Sequence, residues 1–258
     1  MRKIRGFSYE DALETRKGHC LFWPGCSLAS YSQELTEAVF SFLKERGLVD
    51  GLSVGCCGNI VRYAAGYEPF KDFTVQLVSN LIEQGVTSVI TSCPNCYLTF
   101  KRILRDTSAI ELSDLSTILA QEGLRVPVST ATSFCIHDSC PDKRIHVIAP
   151  AVRTIFEEVE LHEMVHNQNR SRCCGLGKLR FLSDPEESES FRSERIKEFK
   201  ETAADQLVTC CFSCANAFQD PEAGVEAVHY LELLFGIRID WEAVIGASQQ
   251  AQIDLQSS

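Results

Sequence analysis

The sequence has no apolar run near the roughly 20 residues that span a bilayer. No hydrophobic segment follows the basic start Met1-Arg2-Lys3-Ile4-Arg5; Glu10, Asp11 and Glu14 come instead. A secretory leader is therefore not expected, and the cytoplasm is the expected compartment. Positive charge is also in short supply. Lys and Arg number 25 against 35 Asp and Glu, a formal net charge of −10. That balance argues against non-specific nucleic-acid binding and against an anionic membrane surface, since both need a basic face. No flavin or nucleotide fingerprint is found. Residues 1–19 contain no cysteine.

Beyond residue 19, cysteine is abundant: the chain holds 13 in 258 residues. A reducing compartment disfavours structural disulfides. The count is odd and the cysteines cluster by motif, so metal or redox chemistry is the leading reading. Hydrophobic content of 45% and charged content of 23% are ordinary for a globular protein. The length suits one large domain or two modest ones.

The cysteines make the same statement twice. Gly55-Cys56-Cys57-Gly58 is followed, after 35 residues, by Cys93-Pro94-Asn95-Cys96. Arg172-Cys173-Cys174-Gly175 is followed, after 36 residues, by Cys211-Phe212-Ser213-Cys214. Ahead of them stand Cys26 in the first set and Cys140 in the second. From Cys26 to Cys140 the offset is 114; from Cys56 to Cys173 it is 117; from Cys93 to Cys211 and from Cys96 to Cys214 it is 118. An internal repeat drifting this little predicts two similar domains related by a pseudo-twofold axis.

The apolar pattern alternates between strand and helix. His19–Trp23 reads as a buried strand ended by Pro24-Gly25. A helix with Leu35, Val39, Phe42 and Leu43 on one face stops at Gly47. A second helix carries Phe73, Leu77, Leu81 and Ile82, and Val86–Thr91 is the next strand. Cys93 and Cys96 straddle a turn that opens a further helix. Residues 122–132 read as a linker, after which the pattern restarts. Ser133–His137 is a strand, Ala151–Val159 a helix, and Leu207–Thr209 the strand before Cys211. The expected fold is α/β: two Rossmann-like α/β domains, each with a parallel sheet. The expected boundaries are an extension over 1–19, domains over 20–124 and 130–245, and a polar tail over 246–258, loose from Ser248. In parallel sheets ligands collect beyond the strand C-terminal ends. Cys26 and the Cys93/Cys96 pair lie just after predicted strands.

Each half offers five cysteines: Cys26, Cys56, Cys57, Cys93 and Cys96, then Cys140, Cys173, Cys174, Cys211 and Cys214. A mononuclear zinc site wants four ligands. Adjacent residues such as Cys56 and Cys57 suit a polynuclear cluster, where two thiolates reach two different metal atoms. Soft thiolates favour iron–sulfur over hard cations. Zinc in one half stays as the alternative. Gly58 and Gly175 are expected to bring backbone near the cofactor or to take positive φ. Cys210 aligns by offset with Ser92, which makes Cys211 the expected ligand, with Cys210 the alternative. Cys20 and Cys135 read as small buried hydrophobes.

The pattern resembles the cysteine-rich "CCG" domain of the B subunit of heterodisulfide reductase and its relatives, over roughly residues 20–240. The spans Ser27–Gly55 and Pro141–Arg172 sit at or near the short end of that family's first gap. The resemblance implies two non-cubane [4Fe-4S] clusters, one per five-cysteine set, facing each other across the domain interface. It implies a disulfide or thiol substrate between them and a disulfide oxidoreductase activity. Lactate-utilisation proteins also carry CCG turns, but they usually close with a Ser-Gly-Ser-Cys-like segment; both closing motifs here are complete. Fused relatives add a C-x-x-C-x-x-C-x-x-x-C-P run, which this chain lacks. Electrons are then expected from a ferredoxin-like iron–sulfur subunit fed by a flavoprotein subunit. A non-catalytic electron-transfer subunit is the alternative function.

Two further residues are candidates for catalysis. His137, close before Cys140, is placed to hydrogen-bond a cluster sulfur or to protonate a leaving thiolate. Lys178, with Arg180, is placed to hold an anionic substrate tail. His229, Trp23 and Trp241 read as packing residues. The charged stretch 184–201 reads as a solvated helix face.

Overall fold

The computed structural model describes residues 3–4, 7–8, 16–105, 107, 109–128 and 132–256. A short antiparallel pair, β1 (Lys3–Ile4) and β2 (Phe7–Ser8), comes first. Two four-stranded sheets follow. The first contains β3 (Cys20–Trp23), β4 (Gly51–Leu52), β5 (Ser88–Thr91) and β6 (Glu111–Asp114), in the order β4-β3-β5-β6. The second contains β7 (Phe134–His137), β8 (Leu161–His162), β9 (Gln206–Thr209) and β10 (Ala227–His229), in the order β8-β7-β9-β10. Every pairing in both sheets is parallel. The α/β expectation holds, and the strand order is the same in each half.

Parallel strands need crossovers, and helices supply them. The first half carries α1 (Gly25–Tyr31), α2 (Gln33–Glu45), α3 (Asn59–Ala64), α4 (Tyr67–Glu83), α5 (Pro94–Ile103) and α6 (Leu115–Gln121). The second carries α7 (Ile148–Ile155), α8 (Arg180–Ser183), α9 (Pro185–Glu201), α10 (Phe212–Ala217), α11 (Tyr230–Phe235) and α12 (Trp241–Gln256). A 3₁₀ turn over Cys140–Arg144 stands where α1 stands in the first half.

Side chains alternate along each strand, so each sheet buries both faces. Phe22, Ile90, Phe134, Ile136 and Val208 face one core shared by both halves. Leu21, Trp23 and Val89 face a second core that includes Cys57 and Cys96. Cys135 and Leu207 face a third that includes Cys174, Cys211 and Cys214. The cysteine sets therefore lie against the outer faces, at the C-terminal ends of the strands.

The two halves meet reciprocally. α2 packs on α11, and its counterpart α7 packs on α6, the counterpart of α11. α1 packs on α10, and the Cys140–Arg144 turn packs on α5 in the same exchange. A self-complementary interface of this kind is what a twofold axis produces.

Four local features differ from the sequence reading. The helix expected over Ala151–Val159 begins earlier, at Ile148. The buried Asp142 carboxylate accepts the N–H groups of Val147, Ile148 and Ala149 at 3.0, 3.0 and 2.8 Å, which fixes the start. The stretch read as a loose tail is helical through Gln256, in a run rich in Ala and Gln, both good helix formers. Within the linker, Val126 is buried and its N–H bonds Ile155 O at 3.0 Å, so this part is docked. Arg16, inside the expected extension, exchanges backbone hydrogen bonds with Leu52 at the sheet edge.

Candidate metal centre

The loops beyond the strand ends gather the cysteines. Cys26 sits in the first turn of α1, just past β3. Cys93 caps α5 just past β5, with Pro94 at the first helical position and Cys96 one turn on. Cys56 and Cys57 lie on the loop from β4 to α3. Cys140, Cys211 and Cys214 repeat these placements around β7 and β9, and Cys173 and Cys174 lie on the loop ahead of α8. All described cysteines are free thiols.

The sulfurs follow one order in both sets. Cys26 lies near Cys56, and the thiols of Cys56 and Cys57, Cys57 and Cys96, and Cys96 and Cys93 interact in turn. In the same order, the thiols of Cys140 and Cys173, Cys173 and Cys174, Cys174 and Cys214, and Cys214 and Cys211 interact. The Cys174 and Cys214 sulfurs are 3.1 Å apart. Cys210 points the other way, into the shared core, because successive residues alternate faces here. Cys211 is the one that joins Cys174 and Cys214.

This crowding governs ionisation. Cys57 is held well below the usual thiol range by its bonds to Cys56 and then Cys96. Cys56 and Cys96 are pushed up, each first by its bond to Cys57. In the second set Cys173 is held down to about 2 by Cys140 and Cys174, and both of those are pushed up. Neighbouring thiolates repel, so one ionised sulfur suppresses the next. Five can ionise together only beside concentrated positive charge, which bound metal supplies.

Two glycines support the sets through their backbone. Gly58 N–H donates to Cys56 Sγ at 3.3 Å, and Gly175 N–H donates to Cys173 Sγ at 3.4 Å. Their φ angles are +85° and +95°, a conformation that favours glycine. A Cβ at Gly175 would stand 2.3 Å from Ser188 O, and one at Gly58 would stand 2.6 Å from the Phe73 ring. The sites are cradles that leave backbone donors free to reach sulfur.

His137 lies at the end of β7 and is fully buried. Its Nδ1 accepts Arg195 Nε–H at 3.3 Å. Burial first, and then the Arg195 charge, hold its pKa well below the usual range. A neutral imidazole that accepts at Nδ1 carries its proton on Nε2. Nε2 is buried without a partner among the described residues. A ring nitrogen of His137 and the sulfurs of Cys174 and Cys214 lie within 4.8 Å of one another. With its proton on Nε2, that nitrogen has no lone pair to offer a metal. Trp23 holds the matching register position in the first sheet, and its indole N–H is likewise buried without a described partner.

Arg195, which holds the His137 ring, is a buried residue that the sequence reading missed. It belongs to the stretch read as a solvated face, yet it is 1% exposed. Its Nη1 donates to Glu198 at 2.8 Å and its Nη2 to Met164 Sδ. The signal was available: Ser188, Arg195, Ile196 and Phe199 recur at helical spacing and form the buried side of α9. The rest of that helix is largely exposed, as expected.

Lys178 is exposed, on a turn over Gly177–Leu179, with φ of +63°. That turn packs against α3, the helix that follows the first CCG turn. Lys178 thus sits where the two halves meet. Arg180 is committed elsewhere, ion-paired to Glu187 and stacked over Phe191. His229 caps α11 through a hydrogen bond from Leu231 N–H and stacks on Phe212 at 3.6 Å. Trp241 packs edge-on against Tyr31 of the first half.

Residues 20–101 and 134–219 match the family model described as the CCG cysteine-rich domain. The chain is similar to the D subunit of the Dihydromethanophenazine:CoB–CoM heterodisulfide reductase of Methanosarcina acetivorans, 23% identical over 229 residues. The match covers 82% of this chain and 56% of that protein, so the chain spans just over half of the relative's length. It is also similar to Lactate utilization protein A of Halalkalibacterium halodurans, 23% identical over 201 residues, covering 69% of this chain and 80% of that one. Among solved structures, glutamate racemase RacE1 of Bacillus anthracis aligns with a TM-score of 0.39 at 11% identity, covering 91% of this chain and 81% of that one. No described helix is long and apolar enough to cross a membrane.

Proposed function

Because the chain belongs to the CCG cysteine-rich domain family, we propose that it is an iron–sulfur redox subunit carrying two clusters, one per half. Each is a non-cubane [4Fe-4S] cluster, and together they reduce or form a disulfide. The observation that supports this most is the repeated sulfur order. Two complete sets of five cysteines share the same neighbours and the same glycine N–H donor, and helices that carry Cys26 and Cys96 also pack against the other half. The donor chemistry fits. A lone zinc ion takes four ligands and leaves a fifth sulfur over.

Cys26, Cys56, Cys57, Cys93 and Cys96 would hold one cluster; Cys140, Cys173, Cys174, Cys211 and Cys214 would hold the other. Bound clusters supply one-electron transfer, so two of them match the two electrons of a disulfide. The chain's own groups do the rest. Gly58 and Gly175 donate backbone N–H groups to sulfur and disperse its negative charge. His137 offers a proton at Nε2 to a sulfur beside Cys174, and Arg195 keeps that proton on that nitrogen. Lys178, at the junction of the halves, attracts an anionic substrate tail. Electrons come from a ferredoxin-like subunit fed by a flavoprotein.

Both complete closing motifs, Cys93–Cys96 and Cys211–Cys214, favour the heterodisulfide-reductase side of the family over the lactate-utilisation side. Anaerobic purification with iron, sulfide and zinc analysis, plus EPR with and without a thiol, tests the reading. About eight iron atoms, two clusters of four, and a thiol-dependent signal are expected. Iron that never responds to thiol would reduce the role to electron transfer. Four or fewer iron atoms in an air-protected sample would remove the two-cluster assignment.

A further inference from the structure

The chain is acidic overall, with a net charge of −10, and eight of its described arginines are ion-paired to carboxylates. Arg16 pairs with Glu37, Arg125 with Glu157, Arg153 with Asp138, Arg172 with Glu194, and Arg192 with Asp220. One groove gathers several cations. A groove of about 530 Å³ is lined by Leu98, Lys101, Arg102, Arg105, Arg144 and Ile145. Lys101, Arg102, Arg105 and Arg144 are exposed, none of the described lining residues is a carboxylate, and Lys143 stands exposed beside the groove. Among the described residues, Lys101, Arg102 and Arg144 make no ion pair.

The groove bridges the two halves at a telling position. Lys101 and Arg102 end α5, the helix that begins beside Cys93 and carries Cys96. Arg144 ends the 3₁₀ turn that begins at Cys140. Six helical residues separate Cys96 from Arg102, roughly 9 Å along the axis. Four 3₁₀ residues separate Cys140 from Arg144, roughly 8 Å. The cations thus sit at the far ends of two short segments whose near ends hold one ligand of each set. The negative end of the α5 dipole accounts for Lys101 and Arg102 taken singly. It does not account for Arg144 arriving beside them from the other half.

We infer that this groove is the docking site of an acidic electron-donor protein, which delivers electrons within reach of both cysteine sets. The inference rests on the redox role proposed above. Lys101, Arg102 and Arg144 around an apolar floor of Leu98 and Ile145 make a patch that steers an acidic partner and then buries a small dry contact. The groove is open and lies on the outer side of the α5 contact, so a protein reaches it without entering between the cysteine sets.

The probe is an acidic bacterial two-cluster ferredoxin, titrated onto the anaerobically purified protein. Binding is expected at low ionic strength and is expected to fall steeply with added salt. The variant Lys101→Glu/Arg102→Glu/Arg144→Glu should weaken binding by about tenfold or more. The neutral variant Lys101→Gln/Arg102→Gln/Arg144→Gln should weaken it less, and Lys197→Glu/Lys200→Glu, outside the groove, should leave it intact. Iron content and reduction by dithionite should match the unmodified protein in every variant; these readings report on the redox role separately from the groove. No ferredoxin binding at low salt, unchanged binding in the charge-reversed variant, or equal weakening by the Lys197/Lys200 pair would overturn the docking site. So would tighter binding to phosphatidylglycerol vesicles than to ferredoxin.

Discussion

Arg195 Nε donates to His137 Nδ1 at 3.3 Å, beneath the second cysteine set. The bond selects one tautomer of a buried, neutral ring. It also separates the two halves chemically, since the first half has Trp23 in the same register position. An indole N–H is fixed by covalent structure; the imidazole proton is fixed only by its neighbour.

Replacing Arg195 by Met should release that constraint. The freed ring can then carry its proton on Nδ1 and turn a lone pair at Nε2 toward sulfur or metal. Pulsed EPR of the reduced protein should show strong directly bonded nitrogen coupling in Arg195→Met. The unmodified protein should show only the weak coupling of a hydrogen-bonded donor. Arg195→Lys, which keeps a cation without the fixed Nε–H fork, should fall between the two. Identical spectra in all three would remove the tautomer argument. A stability loss of about 1–3 kcal/mol in Arg195→Met is expected in any case, because Glu198 loses a buried partner.

The two glycine cradles should respond unequally to alanine. Both substitutions incur the left-handed backbone cost of about 1–2 kcal/mol. Beyond that, a methyl at Gly58 meets the ring of Phe73, a side chain that can shift. A methyl at Gly175 meets Ser188 O at 2.3 Å, backbone held inside α9. Gly175→Ala should therefore melt lower and lose more iron than Gly58→Ala. Equal losses in chemical denaturation and iron assays would contradict this ranking.

Much of this site was legible in the sequence, and its limits have physical causes. The ten thiols, their pairing by offset and the parallel sheets follow from motif spacing and strand–helix alternation. Those signals are local or periodic. Cys211 was separable from Cys210 by register, and the alternation of faces agrees. Arg195 was misplaced because nine charged neighbours on the same helix mask a single buried one; only its phase relative to Ile196 and Phe199 betrays it. Asp142 was overlooked as a helix cap because its three acceptor bonds lie five to seven residues onward, where no short capping pattern extends. The convergence of Lys101, Arg102 and Arg144 depends on how the halves dock, which spacing alone does not encode.

Asp114 provides a pH test away from the cysteines' own titration. It caps α6, accepting from Thr117 N–H at 3.1 Å and from the Ser116 hydroxyl. It is buried, and burial pushes its pKa up to about 6. The folded state then holds a proton between about pH 4 and 6 that the unfolded chain releases near the ordinary carboxyl value. Its contribution to stability is present below that window and is lost as pH rises through it. A carboxyl raised from about 4 to about 6 corresponds to about 3 kcal/mol. Asp114→Asn keeps a capping oxygen and removes the titration. Relative to the unmodified chain it should gain stability from about pH 4 to about pH 6 and hold a constant advantage above. Parallel denaturant curves at several pH values measure this; a difference that does not change with pH would refute it.

The ligand assignment makes the sharpest forecast. Cys57→Ser should disturb the first cluster alone, and Cys174→Ser the second alone, because the sulfur chains do not cross between the sets. Each variant should retain about half the iron and sulfide of the unmodified protein. Cys211→Ser should behave like Cys174→Ser, since both thiols pack in the same outer core. Cys210→Ala should leave the iron unchanged, because its thiol is buried in the shared core on the opposite face. Its cost should be confined to packing, on the order of 1 kcal/mol for one lost sulfur. If Cys210→Ala removed iron and Cys211→Ser did not, the register at the end of β9 would have to be reassigned. If Cys57→Ser emptied both halves, the two clusters would have to share ligands, and the independent sets argued here would give way to a single joint centre.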